Sequence, residues 1–199
     1  MARFDDYLRE LQHREGVPHV TLIRSWSPAE IQTIEVRIRA AAVASGIIGT
    51  VIPFRPKSTN QSKGNQAADF FLAQVPPHLA VGATITRASG AGYPDLLLTI
   101  DTAAYCMESK ATSNWNSRDD NRRVLTSSST KMRALVAAGP ASAVPAHLIA
   151  TLIYDEATSV VQTIRLDFLE PDSPVKVRLE GSTSQQLLAG GAHAVKSIP

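Results

Sequence analysis

The N-terminal part of the chain has apolar residues at helical spacing. Residues 27–30 read Ser-Pro-Ala-Glu, which provides an N-cap serine, a proline at the first helical position and a glutamate that can close a capping box. Apolar residues then recur on one side of a helix, at Ile31, Ile34, Ile38 and Ala42. The pattern therefore predicts a helix over residues 28–45. A shorter helix is predicted over residues 65–75, after an exposed basic loop over residues 53–64.

Beyond residue 80 the apolar positions follow the spacing of extended strands. Short apolar or alternating runs, separated by turn residues, predict strands over residues 81–87, 95–100, 103–111, 147–154, 160–168 and 175–179. A further helix is predicted over residues 131–138, ending at Gly139 and Pro140. The Gly/Ala/Ser-rich end of the chain is expected to be loosely ordered.

The order of these elements favours an α/β fold. From residue 65 onward the sequence predicts a helix, three strands, a helix and two strands. A mixed central sheet with helices packed against it is the expected result. A length of 199 residues suits a single domain.

Composition narrows the class of protein. Hydrophobic residues make up 44% and charged residues 19% of the chain, a balance that predicts a folded domain instead of a disordered segment. Cys106 is the only cysteine, which excludes an intrachain disulfide and a four-thiolate zinc site. No apolar run has the length needed to cross a bilayer, and the acidic start does not resemble a secretory signal. We therefore expect a cytoplasmic protein without a membrane partner.

Two acidic residues and a lysine are predicted to meet at one end of the sheet. Within the strand over residues 103–111, alternation places Glu108 and Lys110 on one face. Asp95 begins the preceding strand of the predicted hairpin, directly after Pro94, so it should lie beside Glu108. Paired carboxylates in apolar surroundings favour a divalent cation, and Mg²⁺ prefers oxygen ligands. A lysine beside that cation suits the hydrolysis of a phosphodiester.

The same residues form a pattern that resembles a known nuclease motif. Pro94-Asp95, twelve intervening residues and Glu108-Ser109-Lys110 are similar to the PD-(D/E)xK motif. The resemblance implies a restriction-endonuclease-like core over residues 65–168, in the order α-β-β-β-α-β. The single nuclease domain, residues 1–199, would then add an N-terminal helical and loop part (1–64) and a C-terminal extension (169–199).

The resemblance also implies roles for individual residues. Asp95, Glu108 and Lys110 would be catalytic, and Asp95, Glu108 and the carbonyl of Ser109 would be metal ligands. Many members of the family have another acidic or polar residue on the helix before the first strand. Asp69 is the best-placed candidate for that further ligand, with Glu35 on the earlier helix as the alternative.

A basic, polar segment follows the predicted active-site strand. Residues 110–133 contain six Lys/Arg against two Asp, so positive charge is concentrated here in a chain whose net charge is only +2. Arg, Asn and Asp side chains can read base edges in the major groove, and Arg also binds phosphates, although a solvated surface loop is the alternative interpretation. The predicted DNA-contact residues are Lys63, from the earlier basic loop, and Asn114, Asn116, Arg118, Asp119, Asn121, Arg122 and Arg123.

These features together predict a type II restriction endonuclease that depends on Mg²⁺, with Mn²⁺ as a substitute. It would cut double-stranded DNA at a specific, palindromic site without a nucleotide cofactor. A homodimer is expected, because two-fold protein symmetry matches the two-fold symmetry of such a site. Two alternatives stay open. The chain could be a structure-specific repair or recombination nuclease of the same superfamily, or a DNA-binding module with an inactive site.

Overall fold

The computed structural model describes residues 2–88, 94–113, 124–126, 144–180, 184–189 and 194–199. Within these residues a mixed six-stranded sheet is flanked by three α-helices, and four further strands form a second sheet. The predicted α/β class with a mixed central sheet is therefore confirmed. None of the described helices is both long enough and apolar enough to cross a membrane.

The described helices all precede the central strands in the chain. They are α1 (Phe4–Arg14), α2 (Pro28–Ser45) and α3 (Asn60–Gln74), followed by a 3-10 helix at Pro76–His78. The strands are β1 (Ala2–Arg3), β2 (Ala83–Arg87), β3 (Leu96–Ile100), β4 (Ala103–Thr112), β5 (Val124–Thr126), β6 (His147–Tyr154), β7 (Val161–Leu169), β8 (Pro174–Glu180), β9 (Ser184–Ala189) and β10 (Ala194–Ile198).

The central sheet has the strand order β10-β7-β6-β4-β3-β2. Its neighbouring strands are antiparallel except for β4 and β6, which run parallel. β2, β3 and β4 form an antiparallel meander that contains the predicted hairpin. β6 and β7 are antiparallel, as predicted, through a turn in which the Asp155 carboxylate accepts the N–H groups of Ala157 and Thr158. The second sheet, β1-β8-β9-β5, is antiparallel throughout.

Side chains of the central sheet alternate between two apolar clusters. On one face Met107 packs with α2 and α3, which contribute buried residues such as Phe71. On the other face Cys106 packs with α1, which contributes Leu8 among others. The alternation that places Met107 under α3 turns Glu108 toward the opposite face, the one that Cys106 shares with α1.

The start of α2 shows why its sequence could be interpreted correctly. The Ser27 hydroxyl accepts the N–H of Glu30, and the Glu30 carboxylate accepts the N–H of Ser27 at 2.9 Å, which completes the capping box. The helix ends at Gly46, whose backbone adopts the left-handed conformation that favours glycine at this position. The predicted helix over residues 28–45 is confirmed.

The start of α3 corrects the sequence interpretation. The helix begins at Asn60, not at residue 65, so residues 60–64 are not part of an exposed loop. The Thr59 hydroxyl caps the helix by accepting the N–H of Ser62 at 3.2 Å. The first turns are polar, and the apolar periodicity that marks a helix begins only after them.

Both ends of the chain contain more regular structure than the sequence predicted. α1 was not predicted, although Phe4 and Leu8 are fully buried against the central sheet. The predicted strand over residues 175–179 is present as β8. The tail beyond it was expected to be loosely ordered, but β10 pairs with β7 and buries Ile198 completely. The predicted helix over residues 131–138 lies outside the described residues.

Candidate active site

β4 continues beyond the point where its neighbour β3 begins, and this mismatch leaves an open edge. The antiparallel register pairs Leu96 with Met107, so Asp95 comes opposite Glu108 just before β3. Residues 108–112 of β4 pair with β6 on one side. On the other side they pair with no strand in the part of the chain that the structure describes. A cleft of about 660 Å³ lies at this edge.

Asp95, Glu108 and Lys110 all line the cleft, and Glu108 contacts each of the other two. The carboxyl groups of Asp95 and Glu108 lie close enough for each to disfavour the charge on the other. The backbone N–H of Asp95 also donates to Glu108 Oε2 at 3.3 Å. The Lys110 ammonium donates to Glu108 Oε1 and forms an ion pair with it. The side chain of Glu108 is only 2% exposed and that of Lys110 is 27% exposed, so the lysine is the more accessible of the two.

Burial makes the ionised form of Glu108 unfavourable. Loss of solvent raises the pKa of its carboxyl group to about 7. The Lys110 ammonium acts to lower that pKa. The Glu108 carboxyl group therefore exchanges its proton near neutral pH, and a cation held between the two acids would replace that proton.

Ser109 lies between Glu108 and Lys110 in the chain and directs its side chain to the other face of β4. Its hydroxyl is buried and has no hydrogen-bond partner among the residues that the structure describes. The N–H and C=O groups of successive residues in β4 also point alternately to its two neighbouring edges. The Cys106 N–H donates to Ala146 O, on the side of β6, at 3.0 Å. Glu108 therefore also directs its carbonyl toward β6, and Ser109 directs its carbonyl toward the open edge that borders the cleft.

The two candidates for a further acidic ligand occupy different places. Asp69 on α3 lines the cleft and forms an ion pair with Arg87, and both side chains are more than half exposed. Glu35 on α2 lies outside the cleft lining and forms ion pairs with Arg39 and Lys196, each at 3.0 Å. Among the described residues no three His, Cys, Asp or Glu side chains are grouped so that they could hold a metal ion. Asp69 would have to leave Arg87 to join the other two acids.

The predicted DNA-contact residues are mostly outside the described part of the chain. Lys63 is described, and it lies on α3 instead of in a loop, with its ammonium 5.7 Å from the centre of the Phe54 ring. It directly precedes Gly64, which lines the cleft. Seven of the predicted residues lie outside the described ranges: Asn114, Asn116, Arg118, Asp119, Asn121, Arg122 and Arg123.

The structure shows a group of cleft residues that the sequence did not predict. Gly64, Asn65 and Ala68 of α3 also line the cleft, and we call these three residues the α3 wall. Gly64 was assigned to the loop over residues 53–64, whereas Asn65 and Ala68 lay in the predicted helix, but the packing of α3 beside β4 could not be predicted from the sequence. Thr59, an N-cap residue three positions before Ser62, was the available signal for an earlier helix start.

Comparisons with known proteins do not assign a function to this chain. The chain matches no protein-family model, no curated protein and no solved structure at a significant level. Any function assigned to the cleft must therefore follow from its geometry and chemistry.

Proposed function

We propose that the chain is a Mg²⁺-dependent endonuclease that hydrolyses phosphodiester bonds of double-stranded DNA. The main support is the proximity of Asp95 and Glu108, joined by the hydrogen bond from the Asp95 N–H to the Glu108 carboxylate, in a cleft that also contains the Lys110 ammonium. Two carboxylates and a lysine at the end of neighbouring strands are the groups expected from the resemblance to PD-(D/E)xK nucleases.

The donor set of the cleft fits a hard cation. The carboxylates of Asp95 and Glu108 and the carbonyl of Ser109 are oxygen ligands, which Mg²⁺ and Mn²⁺ prefer. Burial disfavours the charge on Glu108, and a cation would compensate for it. Mg²⁺ usually keeps several of its waters and binds through one or two carboxylates together with substrate phosphates. Two carboxylates therefore suffice for a site that is completed by DNA.

Each residue of the cleft has a distinct task in the proposed reaction. When bound, Mg²⁺ would lower the pKa of a coordinated water and neutralise charge on the phosphate. Asp95 and Glu108 fix the position of that charge relative to the sheet. Lys110 places its ammonium beside Glu108, where it can donate hydrogen bonds to a phosphate oxygen and stabilise the negative charge of the transition state.

The finer fold assignment is part of the proposal. The described elements α3, β2, β3, β4, β6 and β7 follow the order of a restriction-endonuclease-like core, apart from the second helix. The parallel pairing of β4 with β6 requires a connection that crosses from one end of the sheet to the other, and such connections usually contain a helix. The helix predicted over residues 131–138 falls within that connection.

A free-standing type II restriction enzyme is the form of nuclease that we propose. It would act as a homodimer on a palindromic site. The single cysteine, Cys106, is a free and buried thiol, which is compatible with the cytoplasmic location that we propose.

Incubation of the purified protein with phage DNA tests the proposal. We expect discrete fragments in Mg²⁺ or Mn²⁺ and none in a chelator, and we expect Lys110→Ala to yield no fragments. Cleavage restricted to branched or mismatched DNA would instead indicate a repair nuclease. Binding of DNA without cleavage in either metal would indicate a module with an inactive site, and the nuclease proposal would be wrong.

Asp69→Asn and Glu35→Gln form a matched pair that tests the further acidic ligand. Asp69 lines the cleft and Glu35 does not, so we expect Asp69→Asn to lower the cleavage rate about ten- to a hundredfold and Glu35→Gln to leave it unchanged. The Asp69–Arg87 ion pair is exposed, so its loss should change the free energy of unfolding by less than about 1 kcal/mol. Equal cleavage rates for the two variants would exclude a role for Asp69.

A further inference from the structure

Gly64 occupies a helical position where its surroundings in the described part of the chain do not require a glycine. It lies inside α3, and its backbone is not in the left-handed region that favours glycine. A Cβ atom built on Gly64 would meet no atom of the described residues within 4 Å, so packing against them does not require its absence. A helix is less stable with glycine than with alanine at an interior position. The open space beside Gly64 belongs to the cleft.

Ser109 provides an independent observation in the same cleft. Its side chain is more than nine-tenths buried, and its hydroxyl has no hydrogen-bond partner in the described part of the chain. A buried hydroxyl without a partner costs free energy that a hydrogen bond to a ligand would recover. Ser109 and the α3 wall border the same cleft, so one bound group can contact both.

We propose that the α3 wall and the Ser109 hydroxyl bind the sugar–phosphate backbone of the DNA strand next to the phosphate that is cleaved. This inference rests on the proposed nuclease function. Gly64 leaves room for the strand to approach the backbone of α3, and the Ser109 hydroxyl donates to a phosphate oxygen.

The other groups around the wall suit a phosphodiester backbone. Asn65 and Arg87 supply side-chain N–H donors at the cleft, and Lys110 supplies an ammonium. Donors of this kind make most of the contacts between proteins and DNA phosphates. The proposed strand would therefore lie between α3 and the open edge of β4, with the cleaved phosphate at Glu108 and Lys110.

Variants of Gly64 and Ser109 test the inference through two separate readouts, the melting temperature and the affinity for DNA. Affinity is measured with a fluorescent duplex of mixed sequence, in Ca²⁺ so that cleavage does not interfere. We expect Gly64→Ala to raise the melting temperature by about 2–4 °C and to weaken DNA binding about fivefold. Ser109→Ala should leave the melting temperature unchanged or higher and also weaken binding about fivefold.

A control with a bulky side chain elsewhere on α3 tests whether the effect on DNA binding is specific to the cleft. Ala73 is exposed on α3 and does not line the cleft, so Ala73→Leu should bind DNA as the wild type does, whereas Gly64→Leu should bind at least about tenfold more weakly. The Mg²⁺ affinity of Gly64→Ala, measured by calorimetry, should equal that of the wild type.

The outcomes distinguish this inference from the proposed function. If the wild type neither binds nor cleaves DNA, the nuclease proposal fails and this inference fails with it. If the wild type cleaves DNA and the Gly64→Ala and Ser109→Ala variants bind it as tightly, only the inference is wrong. A lower melting temperature for Gly64→Ala would assign a structural role to the glycine and would also contradict the inference.

Discussion

Replacing Glu108 by glutamine is expected to lower the rate of DNA cleavage by about a thousandfold or more. Glutamine keeps the shape of the side chain and removes the negative charge that we propose holds Mg²⁺ beside Asp95. DNA binding should stay intact or become tighter, since a negative charge near the phosphate is lost. Cleavage of phage DNA and a gel shift with the same duplex measure the two properties separately.

Asp95→Asn is expected to have the same effect as Glu108→Gln, because both carboxylates are proposed to contact one cation. Glu156→Gln is the matched control, since Glu156 is exposed in the turn between β6 and β7 and should keep the wild-type rate. A Glu108→Gln variant that cuts DNA at the wild-type rate would remove Glu108 from the mechanism.

The free energy of unfolding of the metal-free protein is expected to fall by about 3 kcal/mol, through Glu108 alone, as the pH rises from 4.5 to about 7. The folded-state pKa of Glu108 is about 7, above its ordinary value of 4.5, so the folded protein binds this proton more tightly than the unfolded chain. The resulting stabilisation is fully present below pH 4.5 and is lost as the pH rises through 7. Denaturant unfolding in a chelator at several pH values measures it.

Comparison with Glu108→Gln isolates this contribution from that of other groups. The variant cannot titrate at this position, so the difference in unfolding free energy between it and the wild type should change with pH in the stated direction. Mg²⁺ should restore the stability of the wild type above pH 7, since a ligand that binds only the folded state stabilises it. A pH-independent difference between the two proteins would contradict the raised pKa of Glu108.

Local signals were sufficient for the parts of the fold that were predicted correctly. The capping box of Ser27 and Glu30 fixed the start of α2, and the apolar run of β6 gave its full extent, His147–Tyr154. The hairpin of β3 and β4 followed from the turn between two apolar runs. Because an antiparallel hairpin has a defined register, it was possible to predict from the sequence that Asp95 would face Glu108.

The missed elements depend on contacts between distant parts of the chain. β10 is stabilised by pairing with β7 and by the Lys196–Glu35 ion pair, neither of which leaves a local signal. α1 did have a local signal, since Phe4, Leu8 and Leu11 recur at helical spacing and are buried together. The first turns of α3 are polar, and the Thr59 cap was the one sign of their helical structure.

The same distinction holds for the candidate site. Asp95, Glu108 and Lys110 could be placed together from alternation and the hairpin alone. The ion pair of Asp69 with Arg87 could not be predicted, because those residues come from a helix and a strand that meet only in the folded protein. The α3 wall depends on the packing of α3 beside β4 and was likewise invisible in the sequence.

Calorimetric titration of the wild type and of Glu108→Gln with Mg²⁺ near pH 7, in buffers of different ionisation enthalpy, tests most directly whether the paired acids hold a cation. We predict that the wild type binds Mg²⁺ and releases protons as Glu108 becomes ionised, and that Glu108→Gln loses both the binding and the proton release. Equal Mg²⁺ binding by the two proteins, or no binding by the wild type of either Mg²⁺ or Mn²⁺, would contradict the proposed metal site.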